Sequence, residues 1–429
     1  MRYGIKRLLC IIVASAATII CTSCEKIGKD PDEKKEFTEK PLVFTRSEAE
    51  FVQGTNSFTF NLFKAALTSD QHDGRDIMIS PLSASFVLGA LNNGATGETS
   101  HEIVDALGFS GGTTEDINVF CRKIMEGSGF VDNDVVVEMA NAVMVNSNYG
   151  LKEQFEEKMV TYYDAYIESI DFSDVDGVVK RVNDWCNTHS GGLIPRIIEK
   201  EEVVPSTVLY ALNSIYFKGE WKKKFREEDT KKEVFTGING SQSRLDMMSG
   251  TDDMRYYYTD TWSCVSLPYG NGSFSMYVVL PDEGVDFNDF IASLDSEVWN
   301  DVLTSTGGYH EVRFKMPKLD VECSFDLIDM MKDLGVRKAF SPDEAEFTEM
   351  CYNVRQNLYL GLLKQKSRII VDESGTKAAA VTIGGMEAMA PPSDSDDQPI
   401  IFHADRPFIY LIQENNTGTI YFIGAKLRP

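Results

Sequence analysis

The first half of the chain repeats its apolar residues mainly with a helical period. Between Phe51 and Leu67 they recur three or four positions apart, which predicts an amphipathic helix. Ser80-Pro81 predicts the start of a second helix, because serine caps a helix N-terminus and proline suits its first position. A third helical pattern runs from Asp176 to His189 and stops at Gly191-Gly192. The apolar, β-branched residues of 135–148 predict a buried strand.

Strand patterns dominate the second half. A nearly continuous apolar run from Val208 to Phe217 is typical of a central strand. The stretches 264–268 and 275–280 flank Asn271-Gly272, a dipeptide typical of tight hairpin turns. The other predicted elements are strands at 369–371, 408–412 and 419–423 and a short helix at 326–334. Helices concentrated early and strands late predict an α+β fold with antiparallel or mixed sheets.

Composition narrows the possible functions only a little. The 429 residues carry a formal net charge of −24, which argues against nucleic acid as a partner, because its phosphates are bound by Lys and Arg. The chain is long enough for two or three domains. We find no internal repeat and no long Pro/Gly/Ser linker after residue 50, so the sequence favours one large domain.

The N-terminus has the pattern of an export signal. Three basic residues precede 13 mostly apolar ones at 8–20, too few for a comfortable transmembrane helix. Thr22-Ser23-Cys24 then resembles a bacterial lipoprotein box, which predicts a signal peptide at 1–23 and a lipid on Cys24. An ordinary signal peptide is the alternative. Residues 25–40 carry 11 charges in 16 positions, and we predict a flexible tether over 24–46.

These features predict where the protein resides. We expect it to be exported and anchored by lipid in a bacterial membrane, most simply the outer one, with exposure at the cell surface as a further expectation.

No enzyme signature is recognisable in the sequence. HExxH and GxxxxGK[ST] are absent, and the five histidines are scattered without metal-ligand spacing. Five cysteines remain after residue 24, an odd number without a CxxC pair (Cys121, Cys186, Cys264, Cys323 and Cys351). They are predicted to be buried thiols and not a disulfide framework or metal site. We therefore expect no catalytic site, no metal and no cofactor.

The most informative segment is 372–382, with the sequence Asp-Glu-Ser-Gly-Thr-Lys-Ala-Ala-Ala-Val-Thr. It resembles the hinge of the reactive-centre loop in serpins, a family of serine protease inhibitors. Seven further motifs resemble serpin motifs in order and spacing, at 79–83, 182–195, 212–221, 267–269, 316–318, 334–336 and 406–408. The resemblance implies a serpin fold, with about nine helices around three β-sheets, a single domain over 47–429 and a reactive-centre loop at about 373–400.

The residues of the loop agree with that resemblance. A segment that becomes a new strand places every second side chain in the core. Thr376, Ala378, Ala380 and Thr382 form such a face of small, uncharged side chains, whereas Lys377 falls on the opposite face. Proline would remove ladder hydrogen bonds, and none occurs between Glu373 and Ala390. A flexible surface loop is the alternative interpretation of the segment alone.

The resemblance implies a suicide-type inhibitor that traps a protease as a covalent acyl-enzyme. In inhibitory serpins 17 residues lead from the hinge glutamate to the specificity residue, which places the cut at Met389–Ala390. The bonds at Glu387–Ala388 and Ala388–Met389 stay open. Small and apolar residues there predict an elastase-like serine protease, with papain-like cysteine and subtilisin-like proteases as alternatives. The resemblance also implies a monomer.

The resemblance further assigns three groups of residues. The loop hinge comprises Glu373, Gly375, Thr376, Ala378, Ala379, Ala380 and Thr382. The shutter, polar groups beneath the point where the sheet opens, comprises Ser80, Ser83, Asn213 and Gln365, with Gln365 where the family often has histidine. The breach, where insertion starts, comprises Trp221, Lys318 and Glu373. A non-inhibitory serpin that acts as a binding protein is one alternative function, and a lipoprotein hydrolase or glycan-binding module is another.

Overall fold

A computed structural model of the chain describes residues 39–204, 208–352, 358–376 and 398–429. Its nine described helices are α1 (Arg46–Thr68), α2 (Pro81–Asn92), α3 (Gly97–Ala106), α4 (Thr114–Ser128), α5 (Glu153–Tyr163), α6 (Val175–His189), α7 (Phe287–Ser293), α8 (Ser296–Ser305) and α9 (Ile328–Asp333). Single turns of 3-10 helix lie at Lys200–Glu202, Glu227–Asp229 and Lys338–Phe340.

The described strands are β1 (Ile77–Ile79), β2 (Val135–Asn146), β3 (Gly150–Leu151), β4 (Tyr166–Ile170), β5 (Leu209–Glu220), β6 (Lys231–Thr236), β7 (Gln242–Tyr258), β8 (Trp262–Pro268), β9 (Phe274–Pro281), β10 (Gly308–Pro317), β11 (Leu319–Asp326), β12 (Cys351–Tyr352), β13 (Leu362–Asp372), β14 (Gly375–Thr376), β15 (Ile400–His403), β16 (Phe408–Glu414) and β17 (Ile420–Lys426).

Local sequence explains where the two principal helices begin. Thr45 caps α1 in a reciprocal capping box with Glu48. The buried face of α1 carries the apolar residues that predicted the helix. Ser80 caps α2 by accepting a hydrogen bond from the backbone of Ser83, with Pro81 at the first helical position. Every residue of α2 is buried, so this helix runs through the core.

The described strands form three sheets. A nine-stranded sheet has the order β1-β17-β16-β9-β8-β7-β10-β15, with β6 added on β7, and β3 pairs with β12 in a small ribbon. The third, which we call the central sheet, has the order β11-β13-β14-β5-β2-β4. Nine helices around three sheets confirm the predicted α+β serpin fold for the described part of the chain.

Two strands of the central sheet are only partly joined. β5 and β13 run parallel and pair directly from Leu362↔Tyr210 to Lys366↔Ser214. Beyond that stretch the two-residue strand β14 lies between them and pairs antiparallel with both. We call the boundary between β5 and β13 the seam. It is closed at one end and occupied by β14 at the other.

Several features differ from the pattern-based expectation. Helices α7 and α8 lie in the half that was predicted to be mostly strand, and each begins at an aspartate cap (Asp286 and Asp295). The last residues of the predicted tether, from 39 on, contact the folded part: Leu42 is buried, and the Lys40 amide donates to the carbonyl of Phe130. The chain from Thr38 to Pro429 forms one compact unit. None of the helices in these described ranges is long and apolar enough to cross a membrane.

Candidate functional site at the entrance to the central sheet

The predicted hinge enters the central sheet at the open end of the seam. Thr376 pairs with Gly219 of β5 and with Val371 of β13, and Gly375 pairs with Glu220 and Asp372. Residues 375 and 376 of the hinge therefore already occupy the position of an additional strand.

Glycine is the only residue type that fits at position 375, where the hinge enters the sheet. Its φ of +144° lies in a region that side chains with a Cβ rarely adopt. A Cβ on Gly375 would also lie 2.1 Å from the carbonyl oxygen of Gly219 and 2.9 Å from the amide nitrogen of Trp221. The tight approach of the hinge to β5 thus requires glycine.

Glu373 anchors the segment just before β14. Its carboxylate accepts hydrogen bonds from the Lys318 ammonium at 2.7 Å and the Thr230 hydroxyl at 2.6 Å, and only 5% of the residue is exposed. Burial raises the pKa of the Glu373 carboxyl, but the bonds from Lys318 and Thr230 outweigh it and hold the pKa below its usual range. The carbonyl of Glu373 accepts from the Phe225 amide at 2.9 Å.

Aromatic rings line the wall of the entrance. Trp221 donates from its indole nitrogen to the Asp372 carbonyl at 2.8 Å and stacks on Tyr269 with ring centroids 4.4 Å apart. The Tyr269 and Thr376 hydroxyls share a hydrogen bond of 2.7 Å, and both side chains are buried. This arrangement satisfies the hydroxyl of Thr376 inside the core, so a polar side chain is tolerated there.

The predicted shutter lies at the closed end of the seam. Gln365 and Asn213 face each other across the parallel pair of β13 and β5. The Gln365 side chain accepts from the Ser80 amide at 3.0 Å and donates to the Ser80 carbonyl at 2.8 Å. The Ser80 hydroxyl donates to the carbonyl of Tyr421 at 2.7 Å. Gln365 thus ties β13 to the start of α2.

Asn213 ties β5 to the same helix. The Ser83 hydroxyl donates to the Asn213 side-chain oxygen, and the Asn213 amide donates to Asn141 of β2 at 2.8 Å. All of these side chains are buried. The N-terminal turn of α2 therefore holds both strands of the seam, one through Asn213 and one through Gln365.

The five cysteines that were predicted to be buried thiols all lie within the described ranges. All five are free thiols; four are buried as predicted, whereas Cys323 is only half-buried. Burial raises the pKa of Cys121 to about 12. No group of three or more His, Cys, Asp or Glu side chains is arranged to hold a metal ion in these ranges.

Some predicted site residues lie outside the described residues. They are Cys24 in the N-terminal segment and Ala378, Ala379, Ala380, Thr382, Met389 and Ala390 in the loop. Glu373, Gly375, Thr376, Trp221 and Lys318 come together at the open end of the seam, and Ser80, Ser83, Asn213 and Gln365 at the closed end.

A comparison with family models matches residues 53–429 to the family described as "Serpin (serine protease inhibitor)". The chain belongs to the serpin family. Among curated relatives it is 32% identical to Serpin-ZXA of Oryza sativa subsp. japonica, over 87% of this chain and 96% of that protein. It is 30% identical to an uncharacterized serpin-like protein of Thermococcus kodakarensis, over 93% and 88% respectively.

Solved serpin structures share the fold. The thermophilic serpin tengpin in its native state has a TM-score of 0.80 and 27% identity, over 91% of this chain and 97% of tengpin. Human thyroxine-binding globulin, solved with its hormone, has a TM-score of 0.78 at 22% identity, over 89% and 99%. The family is described as one of serine protease inhibitors, which supports protease inhibition in general. The globulin shows that the same fold also occurs in a protein named for binding thyroxine.

Sequence reasoning missed three residues of this serpin's site. Thr230 and Tyr269 bond to the hinge, and Asn141 extends the shutter to a third strand. Tyr269 lies in a motif that supported the resemblance, so its position was a usable signal. Thr230 and Asn141 lie in segments whose sequence carries no such signal.

Proposed function

We propose that this serpin is a suicide-type inhibitor that traps an elastase-like serine protease after cleavage at about Met389–Ala390. One observation carries the proposal: residues 375–376 already form a strand at one end of a seam whose other end is closed by only five direct pairs. A cut loop could extend this strand along the seam without any change in its register.

The register of β14 against β5 and β13 supports the prediction of which loop side chains would face the core. In the proposed inserted state, β14 continues antiparallel to β5 and β13. Ala378 then lies between Phe217 and Ile369, Ala380 between Ile215 and Ser367, and Thr382 between Asn213 and Gln365, by extension of the observed pairs. These six flanking residues are all buried. Small side chains are needed in such a row because large ones would have no room in a packed core.

The free energy gained on insertion is large enough to drive the movement of the cut loop. Extending the strand by about 10 residues forms about 10 ladder bonds, each worth on the order of 1 kcal/mol net. That gain is comparable with the roughly 5–15 kcal/mol stability of a whole domain. If the protease is still acylated when the loop moves, it is carried along, and a displacement of its nucleophile by about 1 Å can slow deacylation by about 10²-fold.

The residues around the proposed cut define the class of protease. Ala388, Met389 and Ala390 are small or apolar, and no Arg or Lys occurs between Thr382 and His403. A trypsin-like enzyme is therefore disfavoured, and a compact apolar specificity pocket suits this loop. Proline at 391 disfavours a cut after Ala390.

We also propose where the inhibitor acts. A lipid on Cys24 would anchor it in the bacterial outer membrane, with the charged segment 25–38 between the membrane and the folded part. The net charge of −24 favours cationic proteases as encounter partners over anionic ones.

The proposal is tested by mixing the purified chain from residue 25 onward with an elastase-type serine protease and following denaturing gels over time. We expect a heat-stable band at the summed mass and a released C-terminal peptide that begins at Ala390. Clean cleavage without such a band, for elastase-type, papain-like and subtilisin-like enzymes alike, would favour the non-inhibitory alternative.

A further inference from the structure

A buried carboxylate lies in the loop between α4 and β2. Asp132 is only 1% exposed, and its two oxygens accept hydrogen bonds from the backbone amides of Asp134 at 2.8 Å and Asn271 at 2.9 Å. Burial raises the pKa of the Asp132 carboxyl, and the charges of Asp134 and Glu39 raise it further, although the two amides lower it. Because both donors are uncharged amides, the desolvation of this carboxylate is offset only in part, and the residues that it binds indicate its role.

The turn between β8 and β9 fits closely around Asp132. Gly270 has a φ of +40°, and a Cβ at this position would lie 2.5 Å from both carboxylate oxygens. The next residue, Asn271, bonds to the loop twice: its amide donates to Asp132, and its side chain donates to the Val131 carbonyl at 3.1 Å. The loop and the turn therefore interlock, and the carboxylate occupies the space that a side chain at position 270 would need.

The same turn carries the groups that receive the hinge. Tyr269 directly precedes Gly270 and shares the hydroxyl bond with Thr376. The Gly270 amide donates to the Glu220 carbonyl at 2.9 Å, and Glu220 pairs with Gly375. Both residues of β14 thus connect to the turn, Thr376 directly and Gly375 through Glu220.

Other contacts hold the solvent side of the turn. Asn415 donates from its side chain to the Gly272 carbonyl at 2.9 Å and from its amide to the Ser273 carbonyl at 2.7 Å. The Lys222 ammonium donates to the Asn271 carbonyl at 3.2 Å. Asn415 and Lys222 are exposed, so water competes for these bonds, whereas the carboxylate that holds the inner side of the turn is buried.

We propose that Asp132 is a positioning residue for loop insertion, because it fixes the β8–β9 turn in the place where Tyr269 and Glu220 receive the hinge. With the hinge docked, insertion of a cut loop starts from a strand that is already in register. With the turn displaced, the backbone of residues 375–376 would first have to be ordered, which costs conformational entropy and slows insertion. The effect on trapping rests on the proposed function, whereas the docking of the hinge in the uncut protein does not.

The test is hydrogen exchange of the purified, uncut protein, followed by mass spectrometry. Asp132→Asn keeps the size of the side chain but removes its charge and replaces one acceptor oxygen with a donor. We expect the amides of 373–376, which Asp132 does not bond, to exchange about tenfold faster than in the unaltered protein, as the loss of one charge-assisted bond implies. Gly270→Ala tests the same contact from the other side, because its Cβ would displace the intact carboxylate, and it should have the same effect.

Two matched controls make the same aspartate-to-asparagine change elsewhere. Asp134→Asn lies in the same loop at an exposed residue, whose bond to Asp132 comes from its backbone amide. Asp295→Asn alters a carboxylate that also accepts two backbone amides, at the cap of α8. In both controls the amides of 373–376 should exchange at the unaltered rate.

Unaltered exchange at 373–376 in both Asp132→Asn and Gly270→Ala would overturn the positioning role, and so would an equal increase in either control. Faster hinge exchange in a protein that traps no protease would leave the positioning role standing and contradict the proposed inhibition. Where covalent complexes do form, Asp132→Asn should divert more of the inhibitor into cleaved, uncomplexed product than either control. An equal division between the two products in all three variants would overturn the link between docking and insertion.

Discussion

The Glu373 carboxylate lies 2.7 Å from the Lys318 ammonium, at the point where the hinge enters the central sheet. The pair joins the segment before β14 to the turn between β10 and β11. It is the contact at the open end of the seam that depends most directly on charge, and it makes the docking of the hinge sensitive to pH.

Glu373→Gln is expected to lower the free energy of unfolding of the uncut protein by about 1 kcal/mol at pH 7, since Lys318 is 41% exposed and solvent weakens the pair. The folded-state pKa of Glu373 is lowered, so its contribution is fully present above the unfolded value of about 4.3 and is lost as the pH falls below it. Urea titrations at pH 7 and near pH 3.5 measure the difference between the two proteins. A difference that grows on acidification would contradict the assignment.

Gly375→Ala should release the hinge from the seam. The added Cβ meets the Gly219 carbonyl and forces an unfavourable φ, which together cost about 2 kcal/mol or more. We expect rapid amide exchange at 373–376 and loss of protease trapping. Gly111→Ala is the control, because Gly111 also has a positive φ of +87° but open space around it. Equal effects of the two substitutions on trapping would show that the fit of the hinge is unimportant.

Tyr269→Phe and Thr376→Val each remove one end of the hydroxyl pair at the entrance. Each change alone should destabilise the uncut protein by about 1 kcal/mol, because it leaves the other buried hydroxyl unpaired. In the double variant, the second substitution should lower the free energy of unfolding only a little further. A double-mutant cycle by urea unfolding measures this coupling, and simple additivity would mean that the bond contributes nothing.

Gln365→Glu tests the closed end of the seam. The carboxylate can still accept from the Ser80 amide, but it cannot donate to the Ser80 carbonyl, and its charge is buried. We expect a loss of about 2–3 kcal/mol in stability near neutral pH. Gln242→Glu, at an exposed position, serves as the control and should unfold like the original protein in the same titration. A stable Gln365→Glu variant would argue that Gln365 does not hold the shutter closed.

Ala380→Glu and Ala379→Glu test the two faces of the proposed inserted strand. Position 380 would face the core between Ile215 and Ser367, whereas position 379 would face outward beside Arg368. A buried carboxylate costs several kcal/mol, so Ala380→Glu should turn the inhibitor into a substrate. Ala379→Glu should keep most of its trapping activity. The fraction of protease recovered as covalent complex distinguishes the two, and equal fractions would contradict the register.

The sequence predicted the fold and most of the entrance because those features lie in contiguous motifs. The helix start at Ser80-Pro81, the central strand that became β5 and the hinge at 373–376 are all local patterns. The contacts of Lys364 and Lys366 with residues 194–203 were not predictable, since both look like surface lysines on an alternating strand. Their partners, Glu202 and the Arg196 carbonyl, are defined only by the path of the chain. The bond between Tyr269 and Thr376 joins residues more than 100 positions apart.

The most direct test of the central claim, that the cut loop inserts into the seam, is the thermal stability of the protein before and after a single cut in 385–390. Insertion of about 10 residues should raise Tm by roughly 20 °C or more, given the size of the ladder gain. Ala380→Glu, cut at the same bond, should show little of that rise. A cut protein that melts at the temperature of the uncut one would contradict insertion, and with it the trapping mechanism.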